Sequence, residues 1–106
     1  MFVHLNNRAL LEVSGSDAEN FLQAQLSNDV IKLDKFSIQL NAYCQHQGKI
    51  LALFWVMRHG DSFFLSFPSD LLEAIKSRLQ MFVIMSDVVI EDITNEYIQV
   101  GSIGET

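Results

Sequence analysis

The sequence has 106 residues and a formal net charge of −6, and only 19% of its residues are charged. A chain of this length builds one domain around a single core. Its acidic balance argues against direct binding of nucleic acid, which depends on Lys and Arg, and against an anionic membrane surface. The single Cys excludes an internal disulfide and a cysteine-rich zinc site, so a reducing, cytoplasmic environment fits best.

Apolar side chains are abundant for such a small domain. Hydrophobic residues make up 49% of the chain, which includes eight Phe, and the mean hydropathy is positive. We therefore expect the domain to bury one face against more polypeptide or against a second copy. The longest apolar run, residues 50–57, is far shorter than the roughly 18–20 residues that span a bilayer. The start of the chain shows no basic region followed by an apolar core, so we expect no signal peptide.

The first third of the chain predicts two strands and a helix. Residues 9–15 predict a strand that ends in a turn, with a short strand before it at residues 2–5. A helix follows from Ser16, with Glu19 placed to complete a capping box. The Asn-Asp pair at 28–29 ends this helix, because both residue types favour caps and turns over a helix interior.

From residue 36 the hydrophobic period changes from about 3.6 to 2, which predicts a strand. We expect the apolar set of this alternation to face the core: Phe36, Ile38, Leu40, Ala42 and Cys44. The intervening set forms the predicted polar face: Ser37, Gln39, Asn41, Tyr43 and Gln45. Cys44 is therefore interpreted as a small buried hydrophobe rather than a reactive thiol.

Two further strands and a second helix follow. A turn with Gly48 in a special conformation leads into a strand over residues 49–58, whose apolar run predicts that both faces are covered. After a turn at 58–62, residues 63–67 form a third strand of the meander. Pro68 and Ser69 then open a helix with a buried stripe of Leu71, Leu72, Ile75, Leu79 and Phe82. Closing strands at 88–93 and 97–101 complete an α+β, mainly antiparallel fold.

The residues alone do not indicate a reaction. The three His are scattered without metal-ligand spacing, so we expect no metal site. The chain has neither a G-x-S-x-G elbow nor a complete P-loop motif. Trp55 is a candidate for stacking on a flat ligand, but a core or interface role is the commoner one for Trp.

Three stretches of the sequence resemble a known family. They are residues 14–33, 41–65 and 79–92, and they include FLQAQLSNDV and AYCQHQGKIL. They resemble the opening third of the YgfZ-type folate-binding proteins, which are relatives of the glycine cleavage T-protein. The resemblance implies one β-β-α-β-β-β-α half-module, with residues 1–106 as the N-terminal folate-binding-type subdomain of a longer family member. In the family, two such units and a third domain form a ring around tetrahydrofolate.

The function that this resemblance implies is that of a tetrahydrofolate-binding accessory protein. Such proteins support iron–sulfur enzymes, including those that modify tRNA, so iron–sulfur proteins are indirect partners. The alternatives are half of a folate-dependent aminomethyltransferase-like enzyme, or a ligand-free protein-interaction module. The Asp pair of aminomethyl-transferring T-proteins is replaced here by Ala52 and Leu53, and a folate-contacting tyrosine by Leu40. The family's K-G-C-[YF]-x-G-Q-E motif is absent from the sequence, so we expect this segment not to be catalytic.

Five residues are candidates for contact with tetrahydrofolate. Asn28 and Asp29 come first, because the motif match covers them and polar side chains at a helix end can meet a pterin edge. Tyr43 and Gln45 follow from their predicted place on the polar strand face. Arg8 stands where folate-binding relatives can carry a Trp, and its guanidinium suits a folate carboxylate. Capping and solvation are the alternative roles for the four candidates other than Arg8.

Overall fold

The computed structural model describes residues 2–4, 7–35, 37–44, 48–96 and 100–102, and of 2–4 and 100–102 only the backbone pairing. The elements, in chain order, are β1 (Phe2–His4), β2 (Arg8–Ser14), α1 (Ala18–Gln25), β3 (Ile38–Cys44), β4 (Ile50–His59), β5 (Ser62–Pro68), α2 (Leu72–Met81), β6 (Val89–Asp92) and β7 (Val100–Ser102). Short 3₁₀ turns lie at Val30–Lys32 and Ser69–Leu71. This order confirms the predicted α+β class.

All strand pairs of the described chain are antiparallel. Five strands form one sheet in the order β3-β4-β5-β2-β6, and β1 pairs with β7 in a separate ribbon. The meander of β3, β4 and β5 has the predicted short connections, and Gly60 turns the second of them with φ of 59°. Gly48, before β4, has φ of 88°, as its predicted special conformation requires. The predictions for Phe36 and Gln45, and for residues 97–99 of the last predicted strand, lie outside the described residues.

Both helices pack on one face of the five-stranded sheet, here called the helix face. Ala18, Phe21 and Leu22 of α1 are buried there, together with Ile75 and Leu79 of α2. The strand residues in the same core are Ala9, Leu11, Val13, Tyr43, Ala52, Phe54, Val56, Phe63, Leu65, Phe67 and Ile90. The opposite side of the sheet is here called the outer face.

The predicted orientation of β3 is wrong. Asn41 and Tyr43, assigned to the polar face, are 1% and 2% exposed and lie on the helix face. Ile38 and Leu40, assigned to the core, are 60% and 45% exposed on the outer face. The reason is the pairing with β4: Asn41 lies opposite Phe54 and Tyr43 opposite Ala52, and the Phe54 and Ala52 side chains fill the core. Cys44 shares the outward parity and is exposed, not buried as predicted.

Within the described chain only one face of β4 is covered, whereas the sequence predicts that both are. Its Ala52, Phe54 and Val56 side chains enter the core, whereas Leu53 and Trp55 point outward and are 50% and 46% exposed. A continuous apolar run signals two covered faces only when both neighbouring layers are present. In the described chain, only the helix face of β4 carries a helical layer.

The predicted capping box at the start of α1 does not form. Asp17 is the N-cap residue and its side chain makes no capping hydrogen bond. The Ser16 hydroxyl instead donates to Asp87, and Glu19 accepts a hydrogen bond from Arg58. Both side chains hydrogen-bond to residues that are distant in the sequence, and a local sequence motif contains no information about such partners.

The ends of the helices also differ from the prediction. Helix α1 ends at Gln25, and the cap Leu26 is already extended, so the helix stops before the Asn-Asp pair. In α2, Ile75 and Leu79 are buried as predicted, but Phe82 is largely exposed. Leu71 and Leu72 are partly buried and pack against the core, so the predicted stripe holds except at Phe82, which follows the last residue of α2.

Candidate functional site

The outer face presents a row of side chains that crosses four strands. Leu40 of β3 lies opposite Trp55 of β4, and Trp55 lies opposite Ser66 of β5. Arg8 of β2 extends the row, because its Nε donates to the Ser66 Oγ at 3.3 Å. The row thus joins an apolar platform at one end to a guanidinium at the other.

Only part of the outer face is covered within the described chain. Near β2 and β5, Leu10, Phe64 and Ile93 form a small buried cluster, with Met57 packed against it. Beyond it, on β3 and β4, Ile38, Leu40, Leu53 and Trp55 are each 45–60% exposed. We call these four residues the outer patch. Aligned apolar side chains of this size on two neighbouring strands make a contiguous surface that water solvates poorly.

Arg8 lies on β2, on the covered side of the outer face, and its guanidinium reaches Ser66, the residue opposite Trp55. It pairs with Pro68 across β2 and β5 and is partly buried. Burial lowers the pKa of its guanidinium, which nevertheless stays cationic at neutral pH. A partly desolvated guanidinium is a stronger partner for a carboxylate than a fully hydrated one. Arg8 is therefore a candidate anchor for an anionic group that lies on the outer face.

Asn28 and Asp29 form a polar turn at the edge of β3. The Asn28 side chain donates to the Leu40 carbonyl at 3.3 Å and accepts a hydrogen bond from the Asp29 amide. The Asp29 carbonyl accepts from Gln39, and its carboxylate lies 3.7 Å from the Lys32 ammonium. These contacts give both residues a structural role at the turn. The carboxylate of Asp29 is partly exposed, so it can also meet a ligand at this edge.

The other two predicted contacts differ in their placement. Tyr43 stacks at a tilt on Phe54, with ring centroids 5.6 Å apart, and its hydroxyl is buried without a hydrogen-bond partner among the described residues. Burial raises its pKa, a change that the neighbouring Arg78 partly offsets. Gln45 lies outside the described residues. Of the four predicted contacts that the structure describes, only Arg8 lies in the row on the outer face, so these four are not brought together.

The sequence prediction missed a buried amide network centred on Asn41. Its Oδ1 accepts from the Asn28 amide at 2.7 Å, and its Nδ2 donates to the Gln39 Oε1 at 2.9 Å. Gln39 in turn donates to the Asp29 carbonyl at 2.9 Å, which closes a ring of hydrogen bonds. The sequence signal that could have indicated this network is the presence of two amide residues, Gln39 and Asn41, inside a strand. Such side chains are buried in a core only when their polar groups are hydrogen-bonded.

Arg58 is a second residue whose role was missed. Its Nη2 lies 2.7 Å from Glu19 of α1, its Nε donates to the Leu33 carbonyl at 2.9 Å, and its guanidinium stacks on the Phe63 ring. The shallow groove beside Arg58 is lined by carboxylates and hydroxyls. Two of its carboxylates already have partners, because Glu12 accepts a hydrogen bond from Ser62 and Glu19 is paired with Arg58. Arg58 therefore connects β4 to α1 and to the segment that follows α1.

The described residues hold no group of three or more His, Cys, Asp or Glu arranged to bind a metal ion. Neither helix of the described chain is long and apolar enough to cross a membrane.

The fold defines the class of domain. The described structure matches the glycine cleavage system aminomethyltransferase T from Bartonella henselae with a TM-score of 0.82 over 93% of this chain and 27% of that one. Because the two chains are 17% identical, this likeness shows the fold alone. The chain thus has a T-protein-like α+β fold.

The sequence relatives add the family. No family model matches the chain. It is 32% identical over 98% of its length to an uncharacterized protein from Haemophilus influenzae, 31% over 83% to the tRNA-modifying protein YgfZ of an Enterobacter species, and 26% over 94% to that of Vibrio atlanticus. These matches, together with the fold, place the chain in the YgfZ-type, T-protein-like family. The chain spans 27–37% of the length of these curated relatives.

Proposed function

We propose that this chain contributes one wall of a tetrahydrofolate-binding cavity in a non-catalytic accessory protein. The observation that carries the proposal is the gathering of Arg8, Leu40 and Leu53 on the outer face. These are the positions at which the family resemblance implies contact with folate or with the group it carries. They come from three different strands, and the sheet register is what brings them to one surface.

The chemistry of this surface suits a flat ring with an anionic tail. Trp55 and the leucines beside it offer an apolar platform for a pterin and aminobenzoyl ring system, and Arg8 can meet a glutamate carboxylate. Leu53 has no proton to give or take, and Ala52 is turned into the core. The proposed wall therefore binds and orients folate without assisting aminomethyl transfer. A glycine-cleavage assay should accordingly show no turnover.

The remainder of the proposed cavity requires a second apolar surface opposite the outer patch. We propose that it is provided by more polypeptide of a longer chain or by a second copy. The cellular role that follows is support of iron–sulfur enzymes and, through them, of tRNA modification in the cytoplasm. That role is indirect, because a chain with a net charge of −6 provides little attraction for tRNA phosphates.

The test uses Trp55, the single Trp of the sequence, as an internal probe. The protein is titrated with 5-formyltetrahydrofolate, and Trp fluorescence is corrected for absorption by the ligand. Saturable quenching is expected, and Leu53→Glu should raise the Kd at least about tenfold because it places a charge on the platform. Ile84→Glu is the matched control, since Ile84 is 75% exposed in the loop between α2 and β6. Quenching that is absent, or equally affected by both variants, would overturn the proposal.

A further inference from the structure

The free edge of β3 is covered by a short segment that precedes it in sequence. β3 is the first strand of the sheet order, so one of its sides faces β4 and the other has no strand beside it within the described chain. Residues Ser27–Asp29, here called the edge strap, run along this second side. The strap is held at its ends by Leu26, which bridges to Tyr43, and by Val30, and both of these side chains are buried.

The strap occupies the backbone groups that another strand would use. The Ser27 amide donates to the Ala42 carbonyl at 3.2 Å, and the Ala42 amide donates to the Ser27 Oγ at 2.8 Å. The Asn28 Nδ2 donates to the Leu40 carbonyl at 3.3 Å. Three backbone groups of Leu40 and Ala42 that point away from β4, towards the sheet edge, are thus hydrogen-bonded by Ser27 and Asn28. The amide network of Asn41 fixes the strap from the core side.

An open edge here would be a hazard. The outward side chains of β3 are Ile38, Leu40, Ala42 and Cys44, and Ile38 and Leu40 are among the most exposed aliphatic residues of the sheet. A strand that combines unpaired backbone groups with an exposed apolar face is a template for strand addition. The strap carries no apolar side chain itself, and its third residue is the charged Asp29.

We propose that the edge strap is an autoinhibitory contact that blocks strand addition at β3, and that a strap released from this edge lets β3 pair with β3 of a second copy. A second copy is the occupant that the chemistry favours, because it presents an equally apolar and equally long edge strand. The proposal is independent of folate binding: it concerns the edge of the sheet, whereas the proposed folate wall lies on its outer face.

The test compares self-association of the wild type with that of the Ser27→Ala/Asn28→Ala double variant. Light scattering after size-exclusion chromatography gives the dimerisation midpoint over a concentration series, and circular dichroism checks folding. The double variant loses two side-chain hydrogen bonds to the edge, so its midpoint should lie at least about tenfold below that of the wild type. Thr94→Ala is the matched control, because it also removes a hydroxyl that accepts from a strand amide, that of Leu10, away from the β3 edge.

Amide exchange identifies where the copies meet. In the double variant, the Ala42 amide should exchange fast at low protein concentration and become protected as the dimer forms. An unchanged midpoint would overturn the proposal, and so would association that leaves the Ala42 amide unprotected, since the copies would then meet on the outer face. If the double variant is not fully folded, Asn28→Ala alone is used with the dimerisation midpoint as its readout. It frees the Leu40 carbonyl and leaves both Ser27 bonds in place, so its midpoint should also lie below that of the wild type, and an unchanged midpoint would overturn the proposal.

Discussion

Replacement of Asn41 by Ala should lower the free energy of unfolding by about 3 kcal/mol. The side chain is 1% exposed and makes two hydrogen bonds, to the Asn28 amide at 2.7 Å and to Gln39 at 2.9 Å. The loss of each bond costs about 1 kcal/mol, and the space left by the amide costs about 1 kcal/mol more because the packed core closes only partly around it. Urea unfolding followed by circular dichroism measures the change, with an unaltered m-value expected.

Asn20→Ala is the matched control for this prediction. Asn20 is an exposed residue of α1, so the same chemical change there should leave stability unchanged or raise it by a few tenths of a kcal/mol, since Ala favours a helix. A loss below about 1 kcal/mol at Asn41 would refute the reasoning. It would mean that the buried amide ring does not stabilise the turn beside β3.

Three further perturbations test other contacts. Gly15→Ala should lower the free energy of unfolding in urea by at least about 2 kcal/mol. Gly15 has φ of 109°, and a Cβ there would lie 2.2 Å from the Asp87 carbonyl oxygen. An unchanged free energy of unfolding would contradict this close approach. Hydrogen bonds from Ser16 hold the pKa of the Asp87 carboxyl below its ordinary value of 3.8. The stabilisation by this carboxylate is therefore present above pH 3.8 and is lost as the pH falls through the lower folded-state pKa, so the difference in unfolding free energy between wild type and Asp87→Asn should close below pH 3.8. A difference that stays constant with pH would be inconsistent with this linkage. Arg58→Met should lower the free energy of unfolding by about 2 kcal/mol, measured by thermal and urea unfolding. In a double-mutant cycle with Glu19→Gln, the coupling energy should be about 1 kcal/mol, and additive effects of the two substitutions would show that the ion pair contributes nothing.

The sequence predicted the elements of the fold because their signals are local. The meander over β3, β4 and β5, the turn at Gly60 and the stripe around Ile75 and Leu79 each follow from the spacing of a few neighbouring residues. The α+β class follows from the short connections, which allow only antiparallel pairing.

The faces of β3 could not be predicted because the alternation defines a period and not a direction. Ile38 and Leu40 are more apolar than Gln39 and Asn41, so local hydrophobicity favours the wrong face. What decides the orientation is distant in sequence: the core side chains of β4, to which β3 is bound in register, and the turn at Asn28, whose backbone satisfies the buried amides.

The candidate site shows the same limit. Polarity led to Tyr43, which lies in the core, while Leu40 and Trp55, two of the four residues in the row on the outer face, are apolar and carry no chemical signal alone. Arg8 and Ser66 are 58 positions apart in the sequence, and only the pairing of β2 with β5 brings them together. The resemblance to T-protein-like proteins named Arg8, Leu40 and Leu53 separately, and the sheet register gathers them on one face.

Mapping of a bound folate by NMR tests the outer face most directly. Amide and indole shifts of the protein are followed while 5-formyltetrahydrofolate is added. Folate binding at the proposed wall predicts saturable changes at the Trp55 indole and at the amides of Leu40 and Leu53, with little change at Ile75 and Leu79 beneath the helix face. Changes confined to the Asn-Asp turn at residues 28–29, or no saturable change in the folded protein, would contradict the assignment of the outer face to folate.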